Sequence, residues 1–80
     1  MRVVIVEDQT MIRSLLESYF LAEDGNQIVA SITGAKQAVE VCRASPVDLV
    51  LMDVQTEHRE NGLVAVRQIK AERPQIKIVV

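Results

Sequence analysis

One cysteine, Cys42, stands in 80 residues, which excludes an internal disulfide and a cysteine-rich zinc site and fits a reducing, cytoplasmic setting. The chain also has one histidine, His58, with no second one near it to share a metal, so it reads as a solvated loop residue. Tryptophan is absent and the aromatics are Tyr19 and Phe20 alone, so aliphatic side chains must build the core. Both rings are expected in that core rather than on a base-stacking or cofactor surface. The three glycines form neither a GxGxxG nor a Walker pattern, which removes the main support for dinucleotide and P-loop readings. A net charge of −2 with no basic run gives no support for nucleic-acid binding by these residues. The longest apolar runs have the length of short strands, and Met1-Arg2 leads straight into one, so neither a membrane span nor a signal peptide is expected.

What is present is 49% hydrophobic and falls into alternating patterns. Val47 to Asp53 holds four consecutive apolar residues bounded by Asp48 and Asp53, with Pro46 just ahead, the signature of a short strand buried on both faces of a parallel sheet. Arg2 to Val6 is β-branched from Val3 onward and reads as a second such strand, ending in Glu7-Asp8. From Thr10 to about Ala22, Ile12, Leu15, Leu16, Tyr19 and Phe20 follow the spacing of an amphipathic helix, stopped by Gly25 or Asn26 in a turn with positive φ. Gln27 to Ile32 is a shorter strand. Thr33-Gly34 opens a second helix with Ala35, Ala38, Val39, Val41 and Cys42 on its inner side, ending before Pro46. Val54 to Glu60 is polar and reads as a loop over the strand end. Asn61 is the expected N-cap of a third helix with Leu63, Val66 and Ile69 inward, ended by Pro74. Gln75 to Val80 closes as a fourth buried strand. The order is β-α-β-α-β-α-β, with each helix long enough for a right-handed parallel crossover.

In such a sheet the first and third strands are normally neighbours, which brings Glu7, Asp8 and Asp53 to one carboxyl-terminal edge, where open α/β sheets bind ligands. Taken singly, acids at strand ends are common as helix caps and solubilising groups. Together they repel one another unless a cation joins them. A hard divalent ion with oxygen ligands answers that need, and Mg²⁺ prefers one or two carboxylates, several waters and phosphate oxygens. Asp8 and Asp53 would hold the metal, with Glu7 acting directly or through water. Asp53 would also be placed to attack phosphorus as a carboxylate nucleophile.

The segments Val3 to Asp8 and Asp48 to Asp53, with Asn61-Gly62 opening the following helix, resemble the receiver domain of bacterial two-component response regulators, and the likeness runs over the whole chain. It implies a flavodoxin-like, doubly wound parallel α/β sheet of strand order 2-1-3-4. It implies that Asp53 accepts a phosphoryl group from a sensor histidine kinase, with Mg²⁺ on Glu7, Asp8, Asp53 and the backbone carbonyl of Gln55. The style of the first strand and helix is similar to regulators with a LuxR-type helix-turn-helix output, so DNA would be met only through an output domain outside this chain. The resemblance implies a switch rather than an enzyme.

The chain departs from the family pattern at three places. Thr56-Glu57 stands where a Met-Pro pair is frequent, and Asp53 to Gly62 is one residue longer than in most members. The switch Ser or Thr and the strand-end Lys would fall beyond Val80, as would the fifth strand and the last two helices. Residues 1–80 are therefore expected to be about the first two thirds of a receiver. Mg²⁺ binding would then outlast efficient phosphorylation, and the fourth strand would offer an apolar edge for a homodimer or domain-swapped oligomer. Two competing readings are an Mg²⁺-dependent aspartate-nucleophile phosphatase, which usually wants an acid where Gln55 stands, and an inactive receiver-like interaction domain.

Overall fold

The computed structural model describes residues 1–53 and 59–80, with the backbone alone for 59–61. The β-branched and aliphatic runs form four strands, β1 Arg2–Val6, β2 Gln27–Ile32, β3 Leu49–Met52 and β4 Lys77–Val79. They alternate with helices α1 Thr10–Leu21, α2 Ala35–Ala44 and α3 Arg59–Glu72. The strands pair in parallel in the order β2-β1-β3-β4, as expected for a doubly wound sheet. The chain first steps from β1 to β2 on one side, then crosses to β3 on the other, so the topological switch point lies between β1 and β3.

Alternation along β1 divides the core. Val3 and Ile5, with Leu49 of β3, point to one face and are covered by Phe20 and Leu16 of α1. Val4 and Val6, with Val50 and Met52, point to the other, where Ala38, Val39 and Cys42 of α2 and Ala65 and Ile69 of α3 cover them. Cys42 is the small buried residue its surroundings suggested, and burial raises its thiol pKa. Gly25 takes φ +91° after α1, where a Cβ would meet no atom, so the glycine is needed for its backbone conformation rather than for space. Asn26 supports the same turn by donating to the Phe20 carbonyl at 3.0 Å.

Ion pairs tie element ends away from the acidic edge. At the amino ends of β1 and β3, Arg2 meets Asp48 through its backbone N–H at 2.7 Å and its guanidinium at 3.2 and 3.3 Å. Arg43, at the end of α2, makes a two-pronged pair with Glu72, at the end of α3, at 2.6 and 2.7 Å. Lys70 donates to the carbonyls of Pro74 and Ile76 at 2.9 and 2.8 Å, satisfying acceptors where the helix has stopped.

The structure corrects four expectations. Tyr19 is 70% exposed. Only Phe20 and the partly buried Leu16 turn toward the sheet, because α1 covers its face alone and its apolar stripe is wider than that contact. Tyr19 instead lies edge-on to Phe20, ring centroids 5.2 Å apart. Asn61 is not an N-cap: α3 begins two residues earlier, at Arg59, so Arg59 and Glu60 are helical. Leu63 is 38% exposed, and the seam against the core is Ala65 and Ile69, with Val66 beside it. β4, expected to be buried, exposes Val79 and pairs with β3 alone among the described residues. The loop expected over Val54–His58 lies outside the described residues. No helix among them is long and apolar enough to cross a membrane.

Candidate metal centre

β1 and β3 run in register, Val6 opposite Met52, so the residue after each strand arrives at the same level. The ladder continues one step beyond the strands: the Asp53 N–H donates to the Val6 carbonyl at 3.1 Å, and the Glu7 N–H to the Ile32 carbonyl of β2 at 2.9 Å. Glu7 and Asp53 are thereby carried on backbone bonded to its neighbours, and Asp8 follows in the connection to α1. Carboxylate oxygens of Glu7, Asp8 and Asp53 can be chosen that all lie within 4.8 Å of one another.

The three acids differ in surroundings. Asp8 is exposed, Asp53 is half-buried and Glu7 is only 6% exposed. Burial raises the Glu7 pKa above 4.5, opposed by a hydrogen bond from the Gln9 N–H to Glu7 Oε2 at 3.0 Å and reinforced by the neighbouring Asp53 and Asp8 carboxylates. The gradient from buried to exposed gives a site open to solvent on the Asp8 side.

These donors suit a hard, hydrated cation. Octahedral Mg²⁺ at about 2.1 Å from its ligands places neighbouring ligand atoms about 3 Å apart and opposite ones about 4.2 Å apart. Oxygens spread over as much as 4.8 Å fit an ion bound partly through water. A cavity of about 540 Å³ lies beside the acids and is lined by Val6, Glu7, Asp8, Asp53, Gly62 and the residues Thr33 to Gln37 that open α2. That volume exceeds the roughly 200 Å³ of a cation with several waters and a phosphoryl group, taking about 30 Å³ for each water-sized ligand.

Of the sequence-derived site residues, Glu7, Asp8 and Asp53 are brought together, while Gln55 lies outside the described residues. Two features went unread in the sequence. The wall built by Thr33 to Gln37 follows from β2 pairing with β1, which sets the end of β2 beside Glu7. Gly34 helps form that wall, and its N–H donates to Gln37 Oε1 at 3.3 Å. Arg13 is the second: its Nη1 donates to the Glu7 carbonyl at 2.9 Å. An arginine in the first turn of a helix that follows an acidic pair was the available signal.

The family model described as response regulator receiver domain matches residues 3–80. The chain is 38% identical over 74 residues to the protein-glutamate methylesterase/protein-glutamine glutaminase of Mesorhizobium japonicum, spanning 92% of this chain and 22% of that protein. It is 32% identical over 78 residues to the response regulator protein VraR of Staphylococcus aureus, spanning 98% of this chain and 37% of that protein. The chain thus covers well under half the length of these relatives. Among solved structures, the MaeR response regulator bound to beryllium trifluoride superposes with a TM-score of 0.78 at 16% identity, over 99% of this chain and 64% of that one, a likeness of fold alone. A mutant of the anti-anti-sigma factor PhyR from Bartonella quintana superposes with a TM-score of 0.72 at 26% identity, over 98% of this chain and 32% of that one.

Proposed function

The chain belongs to the response regulator receiver domain family, and on that premise we propose that it is a phosphoacceptor module in which Asp53 takes a phosphoryl group beside Mg²⁺. The observation that carries this reading is the convergence of three carboxylates at the β1/β3 switch point, within 4.8 Å of one another. Bound Mg²⁺ supplies charge neutralisation between an anionic nucleophile and an anionic phosphoryl donor. Asp8 and Asp53 would hold the ion, with Glu7 acting directly or through water. The Gln55 carbonyl is assigned as a further ligand on family resemblance alone.

The chemistry falls to Asp53. One of its carboxylate oxygens bonds to phosphorus while the bond from phosphorus to the donor's nitrogen or oxygen breaks, and the electron pair leaves with that group, which takes a proton from water. The product is an acyl phosphate on Asp53. It is made stoichiometrically, so the domain acts as a switch and not as an enzyme.

The finer assignments belong to the same reading: residues 1–80 as part of a receiver in a cytoplasmic regulator, a sensor histidine kinase as donor, and transcription as output through a LuxR-type domain outside this chain. The 38% identity to a methylesterase makes an enzymatic output the second reading. Association of copies through the outer edge of β4 is also part of the proposal. The phosphoacceptor role is tested by incubating this chain, and a longer one that continues past Val80, with Mg²⁺ and phosphoramidate and measuring intact mass. Addition of one phosphoryl group, lost in Asp53→Asn, is expected in the longer chain and to a smaller extent in this one. Continuous phosphate release would favour a phosphatase, and no addition in the longer chain an inactive domain.

A further inference from the structure

Asp8 is the most exposed of the three acids, and it stands in the middle of a three-residue connection between β1 and α1. Such a connection is usually fixed by a side-chain cap at the start of the helix. Here the N-cap, Gln9, makes no side-chain cap bond, and the first turn of α1 has no acidic residue. The connection is held from elsewhere.

Both peptide groups that flank Asp8 are anchored. The Glu7–Asp8 peptide offers its carbonyl, on Glu7, to Arg13 Nη1 at 2.9 Å. The Asp8–Gln9 peptide offers its N–H, on Gln9, to Glu7 Oε2 at 3.0 Å. Arg13 also donates its own backbone N–H to the Gln9 carbonyl at 2.9 Å, the first bond of α1. One residue therefore grips the chain on both sides of Asp8, and fixing two successive peptide planes fixes the backbone dihedrals of the residue between them. The direction in which the Asp8 carboxylate leaves the backbone follows.

We infer that Arg13 is a positioning residue of the cation site: by holding the Glu7 carbonyl it presets Asp8 for a divalent ion. The inference rests on the reading of Glu7, Asp8 and Asp53 as ligands. Outer partners that orient metal ligands typically account for about 10-fold to 100-fold in affinity. A charge effect of Arg13 would have the opposite sign, since a cation near the site repels Mg²⁺ and its removal would tighten binding.

The test is Mg²⁺ titration of the chain followed by backbone amide shifts in NMR, which also report folding. Arg13→Gln is expected to weaken Mg²⁺ binding about 10-fold, with Arg13→Lys, which keeps a donor, falling between it and the parent. In an Asp8→Asn background, Arg13→Gln is expected to cost nothing further, because its effect passes through Asp8. Unchanged or tighter binding in a folded Arg13→Gln overturns the inference, as does an equal loss in the Asp8→Asn background, which marks a general structural role. Should Arg13→Gln not fold, Arg13→Lys carries the same comparison, and parental affinity in it overturns the inference. Failure of the parent to bind Mg²⁺, or undiminished binding in Asp53→Asn, removes the three-acid reading and the inference with it. Binding by the parent that Asp53→Asn abolishes and folded Arg13→Gln leaves unchanged removes the inference alone.

Discussion

A carboxyl group that is 6% exposed and faces two other acids is costly to ionise without a cation, and at Glu7 that cost has a definite pH dependence. Its pKa in the folded chain lies above 4.5. Between 4.5 and the raised value the native state keeps a proton that the unfolded chain has lost, so this group's contribution to stability falls as pH rises through that window. Below 4.5 the cost is absent, and above the raised value it is present in full. Asp48 and Glu72 act in the opposite sense: Arg2 and Arg43 hold their pKa values below 3.8 and 4.5, so their stabilisation is present above those values and is lost as pH falls through the folded-state ones. Glu7→Gln, which keeps an acceptor for the Gln9 N–H, is expected to stabilise the metal-free chain at neutral pH by about 1 kcal/mol, by removing a partly desolvated charge that faces two other carboxylates. Urea denaturation in a chelator should show the gain shrinking toward zero below pH 4.5. A gain that persists at low pH would mean that the Glu7 charge is not its source.

At the scale of elements, α3 separates positions that look alike in sequence. Ile69 is 1% exposed against the core, whereas Leu63, also apolar and at helical spacing, is 38% exposed. Ile69→Ala is expected to cost about 2–5 kcal/mol by removing buried methyl groups and leaving a cavity, while Leu63→Ala should stay within about 0.5 kcal/mol. Denaturant midpoints at constant slope would check both, and similar losses at the two positions would contradict the assigned seam. Strand identity was legible here because β-branched runs such as Val3–Val6 have few other uses, and the parallel order followed from helices between them. Which apolar side chains become buried was less legible. Tyr19 and Leu63 satisfy a helical spacing, but burial depends on how far the neighbouring element extends, and that is set by packing. The acids Glu7, Asp8 and Asp53 could be grouped in advance because strand neighbours bring strand ends together. Arg13 was not grouped with them, since its place in the first turn after the acidic pair is a weak signal and its bond to the Glu7 carbonyl joins a side chain to backbone six residues away.

At the scale of the whole sheet, coverage among the described residues is uneven. Two helices lie on one face and one on the other, and α1 leaves Met11, Leu15 and Tyr19 exposed. β4 adds Val79 and, just past its end, Val80, the latter 71% exposed. A strand edge of this kind pairs readily with another copy. Light scattering after size exclusion is expected to show a mass that rises with concentration, and Val79→Lys should reduce it, because edge lysines oppose such pairing. A constant monomer mass in the parent would exclude the association. The central place of β1 has a further consequence for how the molecule comes into being. Of the four strands, the first in the chain has parallel neighbours on both sides, and parallel pairing needs a crossover before either neighbour can dock. Its two hydrogen-bonding edges therefore wait, one for Gln27–Ile32 and the other for Leu49–Met52. Glu7 and Asp8 are made before Asp53, and they become part of a three-acid site only after the chain has been synthesised through Asp53.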